Sequence, residues 1–427
     1  MSARAKELDD LVAKYTANPF PIHSPTLSDT ASPSDSEVVL ITGTTGGLGG
    51  AALAYMVARP LYTHIYAFNR KDRRGRDLKE RQVAALVEHG VDPSIVDSPK
   101  ITFLEGDTTL ANLGLSETTF AEIRDSVTLI IPNAWKINLL SDVSSFEPLI
   151  LGVRNLIDFA LGSPRHTPPR ILFPGSVFTF VQWPFAMPVP ELPIVESRLA
   201  VGMGYGESKW VAERILHIAS EKTPLRTTSI RIGQLVGGDN GSWDTDQWFP
   251  AAVRGGEITG LAPHLNGHIS LLSFPAAAAA MMEMRNSPYP TLHLRHPRPL
   301  LGVQLAQHCA DAVGAKVVPI PDWLAALERH LAAAEESDDF EAAMADNPTL
   351  PLIGLMRMMV GLMGSPGKDA VGFPIFDMTR ALEVAPSLGE DRLPRVGAAM
   401  MDKWLEYWRH TGFLKSKPAK RFVVARL

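Results

Sequence analysis

Short apolar runs alternate with longer segments of helical spacing from residue 37 to residue 232. Strands are expected at 38–42, 64–69, 101–105, 128–131, 171–173 and 228–232, and helices at 48–58, 78–89, 118–124, 146–161 and 205–219. Strands apolar throughout, each followed by a helix, imply a parallel sheet covered on both faces, an α/β doubly wound architecture. Beyond Gly237, proline, glycine and tryptophan interrupt the pattern. Strands remain plausible at 269–274 and 291–295, with helical spacing in 303–313, 322–345 and 395–409 and an apolar stretch at 352–362. This points to a smaller, mainly helical C-terminal lobe. The alanines at 276–280 read as a helix surface. Ahead of the sheet, residues 5–16 form a short helix, followed by a linker or extended lead-in through Pro19, Pro21, Pro25 and SDTASPSDSE. The expected division is 1–36, 37–240 and 241–427, with some segments of the last returning to the sheet domain.

A chain of 427 residues has room for two packing units. Its 45% hydrophobic and 20% charged residues are those of an ordinary globular protein, and a net charge of −5 gives no reason to expect nucleic acid. The single cysteine, Cys309, excludes a disulfide within one chain and a thiolate metal cage, and a buried inert thiol is its expected role. No histidine and carboxylate spacing marks a metal site. The N-terminus lacks the apolar core of a secretory signal, and no apolar stretch reaches membrane-spanning length. A cytoplasmic protein, monomeric when isolated, is expected.

The segment VVLITGTTGGLGG sets Gly43, Gly46 and Gly49 in a G-x-x-G-x-x-G spacing directly after a strand. Such glycines allow a tight turn and let backbone amides approach a pyrophosphate at the start of the next helix, so a dinucleotide site is expected over a merely structural turn. The next strand ends in Asn69-Arg70. A basic residue there favours a 2′-phosphate, hence NADP(H) over NAD(H), with Arg70 the first choice. Lys71, Arg73 and Arg74 serve equally well as a solvated loop. Asp107 after the third strand either accepts from the adenine amine or caps its own loop, and Asn133-Ala134 follows the fourth strand.

Tyr205 and Lys209 stand four residues apart at the start of a helix and share a face. A lysine beside the cofactor ribose can lower the tyrosine's pKa, and the tyrosine can then protonate an oxygen that gains charge as hydride arrives. Ser176, at the end of the fifth strand, supplies a second donor to that oxyanion. The competing reading is a structural strand-end serine and a surface tyrosine. Trp243, Trp248 and Phe249 either line a substrate entrance or pack in a core, and Asp244 with Asp246 form an acidic pair or cap a turn.

Together TGTTGGLG, GYGESKW and the serine after strand five resemble the extended short-chain dehydrogenase/reductase superfamily. More narrowly, LKERQ (78–82), LEGD (104–107), NAWKINLLSDVSSFEP (133–148), GVRNLIDFA (152–160), GYGESKWVAERIL (204–216), and RIGQLVG (231–237) with WDTDQWFP behind it resemble the thioester reductase domains of fungal adenylate-forming reductases and nonribosomal-peptide-synthetase-like enzymes. That resemblance implies a Rossmann-like sheet with a C-terminal substrate lobe. It also implies NADPH, and reduction of an acyl thioester carried on the phosphopantetheine arm of a carrier domain to an aldehyde, in some relatives onward to the alcohol. Ser176, Tyr205 and Lys209 then form the catalytic set, with Arg70 on the 2′-phosphate. The cofactor set comprises Gly43, Thr45, Gly46, Gly47, Leu48, Gly49, Asn69, Arg70, Asp107, Thr108, Asn133, Ala134, Lys209 and Gln234. One departure stands out: the usual Ser/Thr-rich approach to the catalytic serine is Pro174-Gly175 here. The residues alone also admit a ketone reductase, epimerase or dehydratase acting on a free small molecule, or a noncatalytic NADP(H)-binding scaffold or sensor.

Overall fold

The computed structural model describes residues 2–27, 36–337, 339–363 and 365–415, and in it the apolar runs of the first half all enter one sheet. The strands are β1 (Glu37–Thr42), β2 (Tyr62–Asn69), β3 (Ile101–Glu105), β4 (Leu129–Ile131), β5 (Arg170–Ser176), β6 (Thr227–Ile232) and β7 (Thr291–Leu294). They lie in the order β7-β6-β5-β4-β1-β2-β3, with every neighbouring pair parallel. The chain therefore has a Rossmann-like doubly wound sheet. Its order reverses between β1 and β4, and ligands of such sheets bind at the C-terminal strand ends beside that point. The crossover helices are α2 (Gly47–Val57), α3 (Leu78–Glu88), α4 (Glu117–Ser126), α5 (Glu147–Leu161) and α6 (Gly204–Lys222), preceded by α1 (Ala3–Thr16).

Two compact units are present, the first comprising 1–235, 272–297 and 374–394, and the second 236–271, 298–373 and 395 onward. The core of the first is built on Val39, Ile41, Leu129, Ile131, Leu172, Ile230 and Leu292. On one face α2, with its small GLGGAALA face, packs against the helix Phe274–Glu283. A Cβ on Gly47 would lie 2.4 Å from the Phe274 ring. Ala277, Ala278 and Ala280 are fully buried there, which corrects the expectation of a helix surface: small side chains on both partners let the helices approach closely. The strand expected at 269–274 also breaks up, into His268–Ile269 and Leu271–Ser273. Ser273 accepts from the Ala276 N–H as an N-cap, and Pro275 sits in the first turn, so the chain turns helical at Phe274.

The N-terminal segment belongs to the first unit and packs along its helices. Ser197 donates to Asp9, and both Lys14 and Tyr15 donate to Glu147. Arg154 donates to the carbonyls of Tyr15, Asn18 and Pro19 and lies 4.5 Å from the centroid of the Phe20 ring. Residues 28–35 of the expected linker lie outside the described residues.

In the second unit Trp243 stacks on Phe249 at 5.2 Å and meets Trp404 edge-on at 4.9 Å, and Trp408 Nε1 donates to its carbonyl. All four rings are buried, as is Trp248, so these aromatics pack a core. Asp244 accepts from the Asp246 N–H and caps a turn. The span expected as one helix over 322–345 divides into Ile320–Glu335 and Phe340–Asp346, the latter capped by Asp339. Cys309 is buried, and burial pushes its thiol up to about 12, leaving it protonated and unreactive at neutral pH. Among the described residues no helix is long and apolar enough to cross a membrane.

Candidate active site

The glycine turn joins β1 to α2. Gly43 has φ +73°, and a Cβ on it would sit 2.8 Å from Ala134 Cα. A Cβ on Gly49 would lie 2.1 Å from the Gly43 carbonyl oxygen, so neither position admits a side chain. Gly46, the N-cap of α2, is not crowded: a Cβ there would meet the Gly43 oxygen at 3.7 Å, an ordinary contact. No side chain caps this helix, so its first N–H groups stand ready for an anion such as a pyrophosphate. The turn thus fits a dinucleotide.

A buried polar network holds the turn from beneath. Asn69 Nδ2 donates to Thr44 Oγ1 at 2.7 Å, Thr44 Oγ1 donates to Gln82 at 2.6 Å, and Gln82 Nε2 donates to the Thr44 carbonyl at 2.9 Å. Thr45 donates to Asn69 at 3.4 Å, Asn133 Nδ2 to the Gly43 carbonyl at 3.1 Å, and Ala134 N–H to Thr42 Oγ1 at 2.8 Å. Asn69 and Asn133, read from sequence as cofactor contacts, therefore shape the loop with their side chains. Thr44 and Gln82 were not anticipated at all, although Gln82 closes the LKERQ segment.

Other anticipated cofactor residues divide in the same way. Gly47 backs onto Phe274 and Leu48 packs against the sheet core. Thr108 lies against Gly152 with its carbonyl taken by Asn155, and Gln234 Nε2 donates to the Leu235 carbonyl. Asp107 Oδ1 accepts from the N–H and hydroxyl of Thr109, its loop-capping role. Ala134 and Arg70 are exposed. Arg81 from α3 was missed: its Nη2 donates to the Arg70 carbonyl at 3.2 Å and to Glu105 at 2.8 Å, while its buried Nε has no partner among the described residues.

At the end of β5, the Ser176 hydroxyl accepts from the Phe178 N–H at 3.2 Å and lies near enough to the Tyr205 phenol to influence its titration. Tyr205 stands at the start of α6 between two glycines. A Cβ on Gly204 would lie 2.2 Å from the Ser141 carbonyl oxygen and one on Gly206 2.3 Å from that of Phe178, so the GYG sequence lets the loops after β4 and β5 close against the tyrosine. The rings of Phe178 and Phe146 meet it edge-on at 5.9 and 6.2 Å. Burial pushes the phenol up to about 12, with Ser176 acting in the opposite direction. Lys209 is buried, and desolvation holds its ammonium well below the ordinary lysine range. Its Nζ donates to the Pro174 carbonyl at 2.6 Å, and this carbonyl, not the phenol, is its partner here, so the expected lowering of the tyrosine by the lysine is not expressed. Glu207, between the two, is 1% exposed and accepts two bonds of 3.0 Å from Arg4 Nε and one of 3.1 Å from the Gly202 N–H. Among the described residues no cluster of His, Cys, Asp and Glu is placed to hold a metal.

The Male sterility protein family matches residues 41–281. Adenylate-forming reductase Nps10 of Heterobasidion annosum is 40% identical over 413 residues, 96% of this chain and 37% of that protein. The chain belongs to the reductase domains of fungal adenylate-forming reductases and nonribosomal-peptide-synthetase-like enzymes, in the extended short-chain dehydrogenase/reductase superfamily. It spans little more than a third of such a relative. Among solved structures, this reductase domain is similar to the terminal R domain from the myxalamid PKS-NRPS biosynthetic pathway, with TM-score 0.77 and 22% identity over 97% of this chain and 100% of that one. It is also similar to a thiolation-reductase di-domain from an archaeal non-ribosomal peptide synthetase, with TM-score 0.69 and 15% identity over 97% of this chain and 81% of the other. At such identities the likeness is one of fold.

Proposed function

We propose that this reductase domain reduces an acyl thioester, presented on the phosphopantetheine arm of a carrier domain, to an aldehyde at the expense of NADPH. The observation that carries this reading is the gathering of Ser176, Tyr205 and Lys209, all buried, at the end of β5, in a chain of this family. Bound NADPH supplies the hydride. The two hydroxyls stabilise the negative charge that develops on the thioester oxygen, and Tyr205, protonated across the neutral range, delivers the proton. Collapse of the hemithioacetal breaks the carbon–sulfur bond and releases the carrier thiol with the aldehyde. A second hydride would yield the alcohol.

Lys209 has three donors, of which the Pro174 carbonyl takes one, leaving two for ribose hydroxyls. The exposed Arg70, with Arg81 held beside it at its carbonyl, supports a 2′-phosphate, hence NADPH. A solved thiolation-reductase di-domain of the same fold supports a thiolation domain as partner. Buried Cys309 argues against an acyl-enzyme route.

The test is mass spectrometry of products from a panel of acyl-pantetheine and acyl-carrier thioesters with NADPH. Stoichiometric NADPH oxidation with aldehyde or alcohol release is the expected result. Turnover of a free ketone or sugar nucleotide, with no NADPH consumed on any thioester, would overturn the proposal.

A further inference from the structure

The loop after β4 lays an aromatic ring on the lysine of the site. Lys209 Nζ lies 4.2 Å from the centroid of the Trp135 ring and 4.7 Å from that of Phe173, and the two rings meet edge to face at 5.7 Å. The indole is also held at its edge: Trp135 Nε1 donates to Ser208 Oγ at 3.3 Å, and that hydroxyl donates to the Tyr205 carbonyl at 2.7 Å. Among the described residues Lys209 has no carboxylate partner, and its one hydrogen-bond acceptor is the neutral Pro174 carbonyl. A buried ammonium so placed needs further compensation, and the negative faces of two aromatic rings provide it.

We propose that Trp135 is a positioning residue for the reduction: with Phe173 it forms a cation-π wall that holds the Lys209 ammonium in place, and through Ser208 it fixes that wall to the turn bearing Tyr205. Among the described residues Trp135 meets the site through Lys209 and Ser208. Its ring is half-buried in a loop, so the position tolerates replacement better than a core residue would. Phe173 by contrast is fully buried in β5 and contributes to folding as well.

The proposal rests on reading Lys209 as the cofactor-facing lysine, and its test is read first without any acyl substrate. Competitive acetylation at a series of pH values, followed by peptide mass spectrometry, reports the titration of Lys209 itself, and calorimetry reports NADPH affinity. In W135L the lysine should titrate at lower pH than in the wild type, NADPH should bind about 10-fold more weakly, and kcat should fall about 10- to 100-fold. W135F keeps a ring face but loses the N–H to Ser208, so its Lys209 titration and NADPH affinity should stay within about 3-fold of wild type while kcat falls about 3- to 10-fold. Fluorinated tryptophan, incorporated throughout, weakens the ring quadrupole with little change of shape. It should shift the Lys209 titration in the wild type and have no such effect in a W135F background, an outcome readable even where W135L folds poorly. A wild-type Lys209 titration in W135L, an equal shift of that titration in W135F and W135L, or a fluorination effect that persists in W135F would each overturn the proposal. Because titration and NADPH binding need no thioester, they stand apart from any failure of the thioester reading.

Discussion

Replacing Arg4 with alanine should weaken the helix that bears Tyr205 and Lys209, more than 200 positions away in the chain. Glu207 is 1% exposed, and its partners are the Arg4 guanidinium and the Gly202 N–H. Without Arg4 a buried carboxylate keeps a single N–H donor. Breaking a fully buried ion pair costs about 3–5 kcal/mol. The Arg4 side chain is 27% exposed, so water can partly refill the gap, and a cost of about 2–3 kcal/mol follows. E207Q on the R4A background removes the stranded charge and should recover most of that loss, giving a coupling of about 2 kcal/mol in the double-mutant cycle. The assays are urea unfolding and hydrogen exchange of peptides from 204–222, which reads α6 directly. Tyr205 lies two residues from Glu207, and since misplacement by about 1 Å can cost on the order of 100-fold, kcat of R4A should fall at least about 10-fold with NADPH affinity preserved. R4A within about 0.5 kcal/mol of wild type, the error of such cycles, or no rescue by E207Q, would refute this account.

Tyr205→Phe should lower kcat by about 100- to 10,000-fold, the range for a lost general acid, while calorimetry finds NADPH affinity within about 3-fold of wild type; undiminished turnover would remove the proton-donor role. Lys209→Met should abolish turnover yet raise the melting temperature of the ligand-free protein. Because the folded lysine is held below the ordinary 10.5, the native state binds fewer protons than the unfolded state between its lowered value and 10.5, and wild-type stability should rise with pH across that window. Thermal melts on the alkaline side of neutrality should show that slope in the wild type and not in K209M. Arg70→Ala and Arg81→Ala should each weaken NADPH binding about 10- to 100-fold and leave NADH binding nearly unchanged, as read by fluorescence titration; equal losses for both nucleotides would dissociate these arginines from the 2′-phosphate.

The sheet was legible because buried parallel strands are continuous apolar runs, and β1 to β6 begin and end within a few residues of where those runs do. The alanines of Phe274–Glu283 were not, since a run of small residues has no polar face to mark which side is buried. Within the site, the glycine turn and the Ser176, Tyr205 and Lys209 set could be named because their chemistry dictates residue type at fixed places. The supports could not. Gln82 reaches Thr44 across 38 positions, Trp135 reaches Ser208 across 73, and Arg4 reaches Glu207 across 203, and one sequence carries no periodicity that announces such pairs. For the same reason Asn69 and Asn133 could be placed at strand ends but not assigned to the loop beneath the cofactor position.

The Pro174-Gly175 departure takes on a different meaning beside these contacts. Proline in a central strand ordinarily loses a ladder bond, but β4 pairs only with Arg170 and Ile171 of β5, so Pro174 has no neighbour on that side to disappoint. Its carbonyl is the acceptor for Lys209, and its register with Ile230 on β6 is intact. Ser176 is held in turn by its register with Ile232 and by the Phe178 N–H. Tyr205 and Lys209 share a helix, and both meet the end of β5, the phenol near Ser176 and Lys209 donating to the Pro174 carbonyl. The strand end therefore sets the spacing of phenol and ammonium, with α6 delivering them to it. Substituting Pro174 by serine would keep the carbonyl and add a hydroxyl, so Lys209 should retain its acceptor and its lowered titration in that variant.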